Sequence, residues 1–341
     1  MSVPIRPVWT LQLDHAATRV TAATGAARIA IASEGALVSV AAIGESSTQT
    51  IRLREPARDV AINPDAASLA IVSASRALQL LGLESGAFGR ERARWDAPVH
   101  DACAFSRDGR SLWTVGILPG EIAEIHCYDA RSGVHIGDHR FKPLIGGCGF
   151  VITVHPREDV LGLWACGGPD ELWNYWIRLT AAGVELQHQP ELDGWTPPCF
   201  NARGDRFVAR NGYDLAEFAF PSCHRVRSPV AAGEEEEDAG WADSLCYVDS
   251  AAADRVLAST NDGRVFVVAL ERGETVAEVA LEGHEPRPCS EVYTALSRSD
   301  DQLCTDLHFF EAVGNNLVLS VHTNGKTTNR KDTILLWRAP S

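Results

Sequence analysis

Seven times along the chain one pattern returns: an apolar run, a polar turn, a second apolar run, a turn bearing Gly or Asp, and a third alternating run. Repetition on that scale constrains the architecture more than any single residue, because each unit can bury its apolar faces only against its neighbours. The clearest copy runs from Ser244 to Leu281, with turns at Asn261-Asp262-Gly263 and Glu271-Arg272-Gly273. Its β-branched residues alternate with polar ones, and the Asn-Asp-Gly turn supplies the positive φ that a hairpin needs, so it reads as four short antiparallel strands. Second strands are expected to begin near Arg28, Ser68, Ser111, Val160, Arg206, Arg255 and Asn316, at steps of 40, 43, 49, 46, 49 and 61 residues. Propeller blades recur every ~40–50 residues, whereas ankyrin and tetratricopeptide units are shorter and helical.

The two ends of the chain fit the same scheme. Asp332 to Arg338 reads as a third strand with no fourth strand after it, and Val8 to Asp14 is a spare strand ahead of the first blade strand at Thr18 to Ala23. Pairing residues 8–14 with the C-terminal blade, residues 304–338, leaves no free edge for aggregation. The expected fold is therefore all-β: a single seven-bladed β-propeller of four-stranded antiparallel blades over residues 1–341, closed by the N-terminal strand completing the last blade.

On these residues the chain resembles the WD-repeat β-propellers, and the resemblance spans its whole length. Ala104-Phe-Ser-Arg-Asp-Gly109 and Ala61-Ile-Asn-Pro-Asp65 look like the family's turn between first and second strands. Leu335-Leu-Trp337-Arg338 looks like its terminal Trp-Asp with Arg in place of Asp, and Gly283-His284 is the one Gly-His pair. The resemblance implies a buried hydrogen-bonded network of His, Ser or Thr, Asp and Trp, expected here in few blades.

A net charge of −14 disfavours binding along a nucleic-acid backbone, which needs clustered Lys and Arg. No window approaches the ~18 apolar residues of a membrane span, and Met1 to Pro7 lacks the basic and apolar regions of a secretory signal. Nine cysteines without paired spacing point to a reducing, cytoplasmic setting. The acidic run Glu234 to Asp238 reads as a solvated loop or as a dock for a basic partner.

Reactive signatures are missing from the sequence: there is no phosphate loop, His-Glu-x-x-His, Cys-x-x-Cys or Gly-x-Ser-x-Gly. Neither a cofactor nor a metal is expected, since no local group offers three or four converging ligands. Cys103, Cys148, Cys199, Cys246 and Cys304 fall on predicted innermost strands, either as small packing residues or as the lining of a channel. Trp95, Trp195 and Trp241 each precede a blade's first strand, so their connections share one rim. There the indoles either plug the wedges between blades or form a binding face. Blade four adds Trp164, Trp173, Tyr175 and Trp176, with Trp173 and Tyr175 on one face of their strand.

The longest departure from the repeat, Glu282 to Asp301, carries His284 and Arg287 and is expected on that same rim, as is the basic loop Gly325 to Lys331. The leading expectation is a non-catalytic scaffold that presents a loop-built rim to a protein partner through Trp95, His100, Trp195, Trp241, His284 and Arg287. The alternative is a propeller enzyme or small-molecule binder whose site at the axial mouth uses His100, Asp101, His284 or the inner-strand thiols.

Overall fold

A computed structural model of the chain describes residues 2–33, 35–97, 99–142, 149–168, 171–211, 214–227, 230–231, 241–248, 255–260, 264–282, 310–312, 316–324 and 331–340. Strands β1 (Ser2–Ile5) and β2 (Trp9–Gln12) come first. Blade one is β3 (Ala17–Ala23), β4 (Arg28–Ser33), β5 (Leu37–Ala42) and β6 (Thr48–Arg52). Blade two is β7 (Ala57–Ile62), β8 (Ser68–Ser73), β9 (Leu78–Gly82) and β10 (Glu91–Trp95). Blade three is β11 (Ala102–Phe105), β12 (Ser111–Leu118), β13 (Ile122–Asp129) and β14 (His135–Phe141). Blade four is β15 (Gly149–Val154), β16 (Val160–Gly168), β17 (Glu171–Thr180) and β18 (Gly183–His188). Blade five is β19 (Cys199–Phe200), β20 (Arg206–Asn211), β21 (Asp214–Ala219) and β22 (Val230–Ala231). Blade six is β23 (Trp241–Val248), β24 (Arg255–Thr260), β25 (Val265–Ala269) and β26 (Glu274–Leu281). Blade seven is β27 (Phe310–Ala312), β28 (Leu317–Asn324) and β29 (Lys331–Arg338), completed by β2.

The fold is thus a seven-bladed β-propeller of four-stranded antiparallel blades. Six of the seven second strands begin at the residue expected from the repeat, and the last begins one residue later, at Leu317. Strand β2 pairs antiparallel with β29, Trp9 opposite Leu336 and Gln12 opposite Thr333. The Val8 and Leu13 amides extend that ladder to the Leu336 and Asp332 carbonyls at 2.7 and 2.9 Å. One strand was not foreseen: β1 adds to blade six in parallel, Ser2 opposite Glu278 and Ile5 opposite Leu281, making that sheet five-stranded.

By packing, the chain divides into two compact units: residues 17–197 with blades one to four, and residues 1–16 with 198–341, which hold blades five to seven. In the first unit β3, β7, β11 and β15 lie side by side, and in the second β19, β23 and β27 do, so each blade's first strand is innermost within its unit. Apolar layers fill the spaces between neighbouring blades. Val38 and Val40 meet Leu69 and Ile71, Leu78 and Leu80 meet Leu112 and Tyr128, and Val115 and Ile125 meet Leu163 and Ile177. In the second unit Val208 and Leu215 meet Val256 and Ala258, and Leu257 and Val267 meet Leu335 and Trp337. In blade four, Trp173 and Tyr175 face the layer shared with blade three, as strand alternation requires.

Polar links fix how the blades of the first unit register. The two turns that carry the family resemblance are tied together: Asn63 Nδ2 donates to the Gly109 carbonyl at 2.9 Å. Gly109 has φ 71°, and a Cβ there would sit 2.4 Å from Asn63 Oδ1, so only glycine fits both the left-handed turn and the neighbouring amide. Replacing Gly109 with Ala is expected to cost about 1–2 kcal/mol for the left-handed backbone and about 1 kcal/mol more for the displaced hydrogen bond. Denaturant unfolding of Gly109→Ala, Asn63→Ala and the double variant will show a coupling of roughly 0.5 kcal/mol or more; strictly additive costs would mean that the turns are not joined.

Candidate functional site

In the first unit, the connection from β10 to β11 lies across blade three. A Cβ on Gly116 of β12 would fall 1.8 Å from the Val99 carbonyl oxygen, so the absent side chain is what lets this loop pass. The close approach buries His100 and Asp101 at 1% and 9% exposure. Asp101 is fully engaged: Arg76 Nη2 donates to Oδ2 at 2.7 Å, the Ile117 amide donates to the same oxygen at 3.0 Å, and Arg58 Nε lies 3.1 Å from Oδ1. A second polar chain crosses three blades, from Arg19 Nε, 3.7 Å from Asp59 Oδ1, to Asp59 Oδ2, which accepts the Cys103 amide at 2.8 Å.

Beside this loop lies a layer of imidazoles and aromatic rings on the blade-three sheet. His100 Nδ1 shares a hydrogen bond with Thr114 Oγ1 at 2.9 Å. The His100 ring lies edge-on to His126, with centroids 5.5 Å apart. Tyr128 touches His126, His135 and Trp95, with the Trp95 centroid at 4.5 Å. Trp95 was expected in a connection; it is the last residue of β10, half-buried on Tyr128, because the fourth strand of blade two runs on to that point. Below it, buried Glu124 accepts from Arg140 Nε at 2.6 Å. Glu124 Oε2 also lies 3.2 Å from His126 Nε2, but off the line of a hydrogen bond.

Burial governs the charge state of this layer. It pushes His100 from 6.5 down to about 3, with the nearby His126 and Arg76 acting in the same direction. Burial also holds His126 below its ordinary value, while Glu124 pulls the other way. Both are therefore neutral at pH 7, and His100 Nε2 is buried without a hydrogen-bond partner. His100 thus acts as an internal strut, with too little surface to meet a partner.

Trp195 occupies a different setting, the connection between β18 and β19. A 3-10 turn at Pro190–Leu192 buries Leu192 and is tied down from three sides. Asn174 Nδ2 donates to the Leu192 and Trp195 carbonyls, both at 2.9 Å, and Trp164 Nε1 donates to the Trp195 carbonyl at 3.1 Å. The Gly194 amide bonds the Leu172 carbonyl at 2.9 Å. The backbone is clamped to blade four, and the residue is half-buried. The Asn174 and Trp164 clamps went unseen in the sequence, where they read only as strand residues.

Trp241 is the first residue of β23, opposite Thr260, rather than a loop residue, because the strand begins earlier than the apolar pattern. His284 and Arg287 lie outside the described residues, as do the acidic run 234–238, the turn 261–263, most of the insertion, the loop 325–330, Cys148 and Cys304. Among the described cysteines, Cys103 and Cys127 are buried free thiols. Cys103 and Cys246 pack in the apolar layers of their own units, and burial raises the Cys103 thiol well above its usual range. In blade seven Trp337 is fully buried; its Nε1 donates to Ser320 Oγ at 2.8 Å, and that oxygen shares a second bond with His322 Nε2 at 2.6 Å. This chain and the His100–Thr114 pair are buried hydrogen-bonded groups of His with Ser or Thr.

Among the described residues no group of His, Cys, Asp and Glu is placed to hold a metal ion, and no helix is long and apolar enough to cross a membrane. The imidazole layer has a pH signature. Neutral His100 supports the fold fully above its unfolded value of 6.5, and that support is lost as pH falls toward about 3. In His100→Gln the decline of unfolding free energy below about pH 6.5 is expected to flatten by up to about 1.4 kcal/mol per pH unit. Urea titrations at several pH values measure it; parallel slopes for both proteins would refute it. Compared with known proteins, the sequence matches no protein-family model and no curated protein.

Proposed function

We propose that the protein is a non-catalytic interaction scaffold of the WD-repeat type, which presents a loop face of its blades to a protein partner. The observation that carries this reading is the Trp195 loop, a half-buried tryptophan on a backbone held by Asn174 and Trp164. Tryptophan combines large apolar area with a single donor, and a pre-ordered loop loses little entropy on binding. The Trp337–Ser320–His322 chain supports the family assignment. The free thiols of Cys103 and Cys127 support a cytoplasmic location. Trp95 stays in the proposal as a half-buried ring at the end of β10.

Two of the residues that an axial catalytic site would use are engaged elsewhere: Asp101 in two ion pairs and His100 against Thr114. Truncating Trp195 to Ala leaves the clamped carbonyl in place, so folding is expected to survive with a loss of at most about 2 kcal/mol. Binding is expected to weaken by about 2 kcal/mol or more. Affinity purification from the native host with quantitative mass spectrometry, followed by calorimetry on the purified partner, tests the proposal. Equal affinity of both proteins for that partner would remove Trp195 from the interface.

A further inference from the structure

The outer edge of blade six already holds a strand that does not belong to the blade. Strand β1 lies along β26 in parallel, and the Glu282 amide donates to the Ile5 carbonyl at 2.9 Å. In a parallel ladder the residue that bonds the neighbour alternates, so Ile5 and Val3 face β26 while Ser2 and Pro4 face outward. The proline, which has no amide hydrogen, thus falls where no donor is needed, and it blunts the new edge against a further strand. Side chains follow the same alternation: Val3 and Ile5 are half-buried, with Ile5 against the apolar layer of blades six and seven, and Ser2 and Pro4 are exposed.

The seat is shallow. None of the four residues of β1 is fully buried. Its flanking ion pair, Arg6 to Glu282 at 3.8 Å, joins side chains 87% and 69% exposed, a kind of contact worth little in water. By contrast the Val8 amide is already bonded to Leu336 in blade seven. Release of β1 therefore needs movement only about Arg6 and Pro7, with β2 left in place.

We propose that the edge of β26 is a strand-acceptor site, filled here by the chain's own residues 2–5 and open to an extended segment of a partner protein when they lift away. The present occupant defines what fits: a segment parallel to β26, β-branched at alternate positions and followed by a basic residue. The acceptor supplies the complementary charge, since Glu274, Glu278 and Glu282 lie along or beside β26. Main-chain bonds give such a complex its affinity and alternate side chains its selectivity. This proposal rests on blade six alone and stands or falls independently of the Trp195 reading.

The probe is a fluorescent peptide with the sequence of residues 2–7, Ser-Val-Pro-Ile-Arg-Pro, read by anisotropy. It is expected to saturate a chain lacking residues 2–6 and to bind the full chain on the order of tenfold more weakly, because the tethered strand competes at high effective concentration. The same peptide with its sequence reversed is expected not to bind. No binding to the folded shortened chain, equal binding to both chains, or equal binding of the reversed peptide would overturn the proposal. Dimerisation of the shortened chain that blocks the peptide would overturn the partner assignment in favour of a second copy. Should the shortened chain fail to unfold cooperatively, the full chain carrying Val3→Asp and Ile5→Asp serves instead, with the same outcomes.

Discussion

The structure depends on sheets that are apolar on both faces and so cannot stand alone in water. Every residue of β8 is buried, as are all but the first of β4 and β24. A strand of that kind leaves no solvent face, so each blade needs a neighbour on either side of it. Burial of this sort is directionless, however, and apolar layers alone would let blades slide. Directional bonds supply what the layers lack: Asn63 to Gly109 joins blades two and three, Arg107 to the Pro156 carbonyl at 3.2 Å joins three and four, and Asp101 gathers two guanidinium groups over blade three.

The same constraint explains why blade three holds uncharged imidazoles. Where a loop is pressed onto a sheet, any titratable group beneath it loses its water, and histidine responds by giving up its proton at little cost. His100 then behaves as a neutral polar spacer between Thr114 and His126. Trp195 shows the opposite use of a connection. Its carbonyl is held from beneath by two side chains, so a half-buried indole is carried on a fixed backbone.

Much of this was legible in the sequence because it repeats. The second strands, buried on both faces, appear as unbroken apolar runs, and their starting residues follow directly from the pattern. The spare strand at Trp9–Gln12 was legible as a count that failed to balance at the two ends. Strand β1 was not, since four residues interrupted by Pro4 carry no strand signal, and only the outward direction of that proline makes the pairing possible. The burial of His100 was equally hidden: it depends on Gly116, whose missing side chain admits a loop from elsewhere in the chain. Trp95 and Trp241 read as loop residues because Trp95 ends a strand dominated by charge, Glu91-Arg-Ala-Arg-Trp95, and Asp243-Ser244 separates Trp241 from the apolar run that marks its strand.

The pairing of β2 with β29 has a consequence for synthesis. Thr10 meets Leu335, so the two partners leave the ribosome more than 300 residues apart. At about 5–20 residues per second, the early strand waits tens of seconds before its complement exists. During that interval the nascent chain displays an unmatched β-segment, and the blade that needs it is the last of the seven to become able to fold.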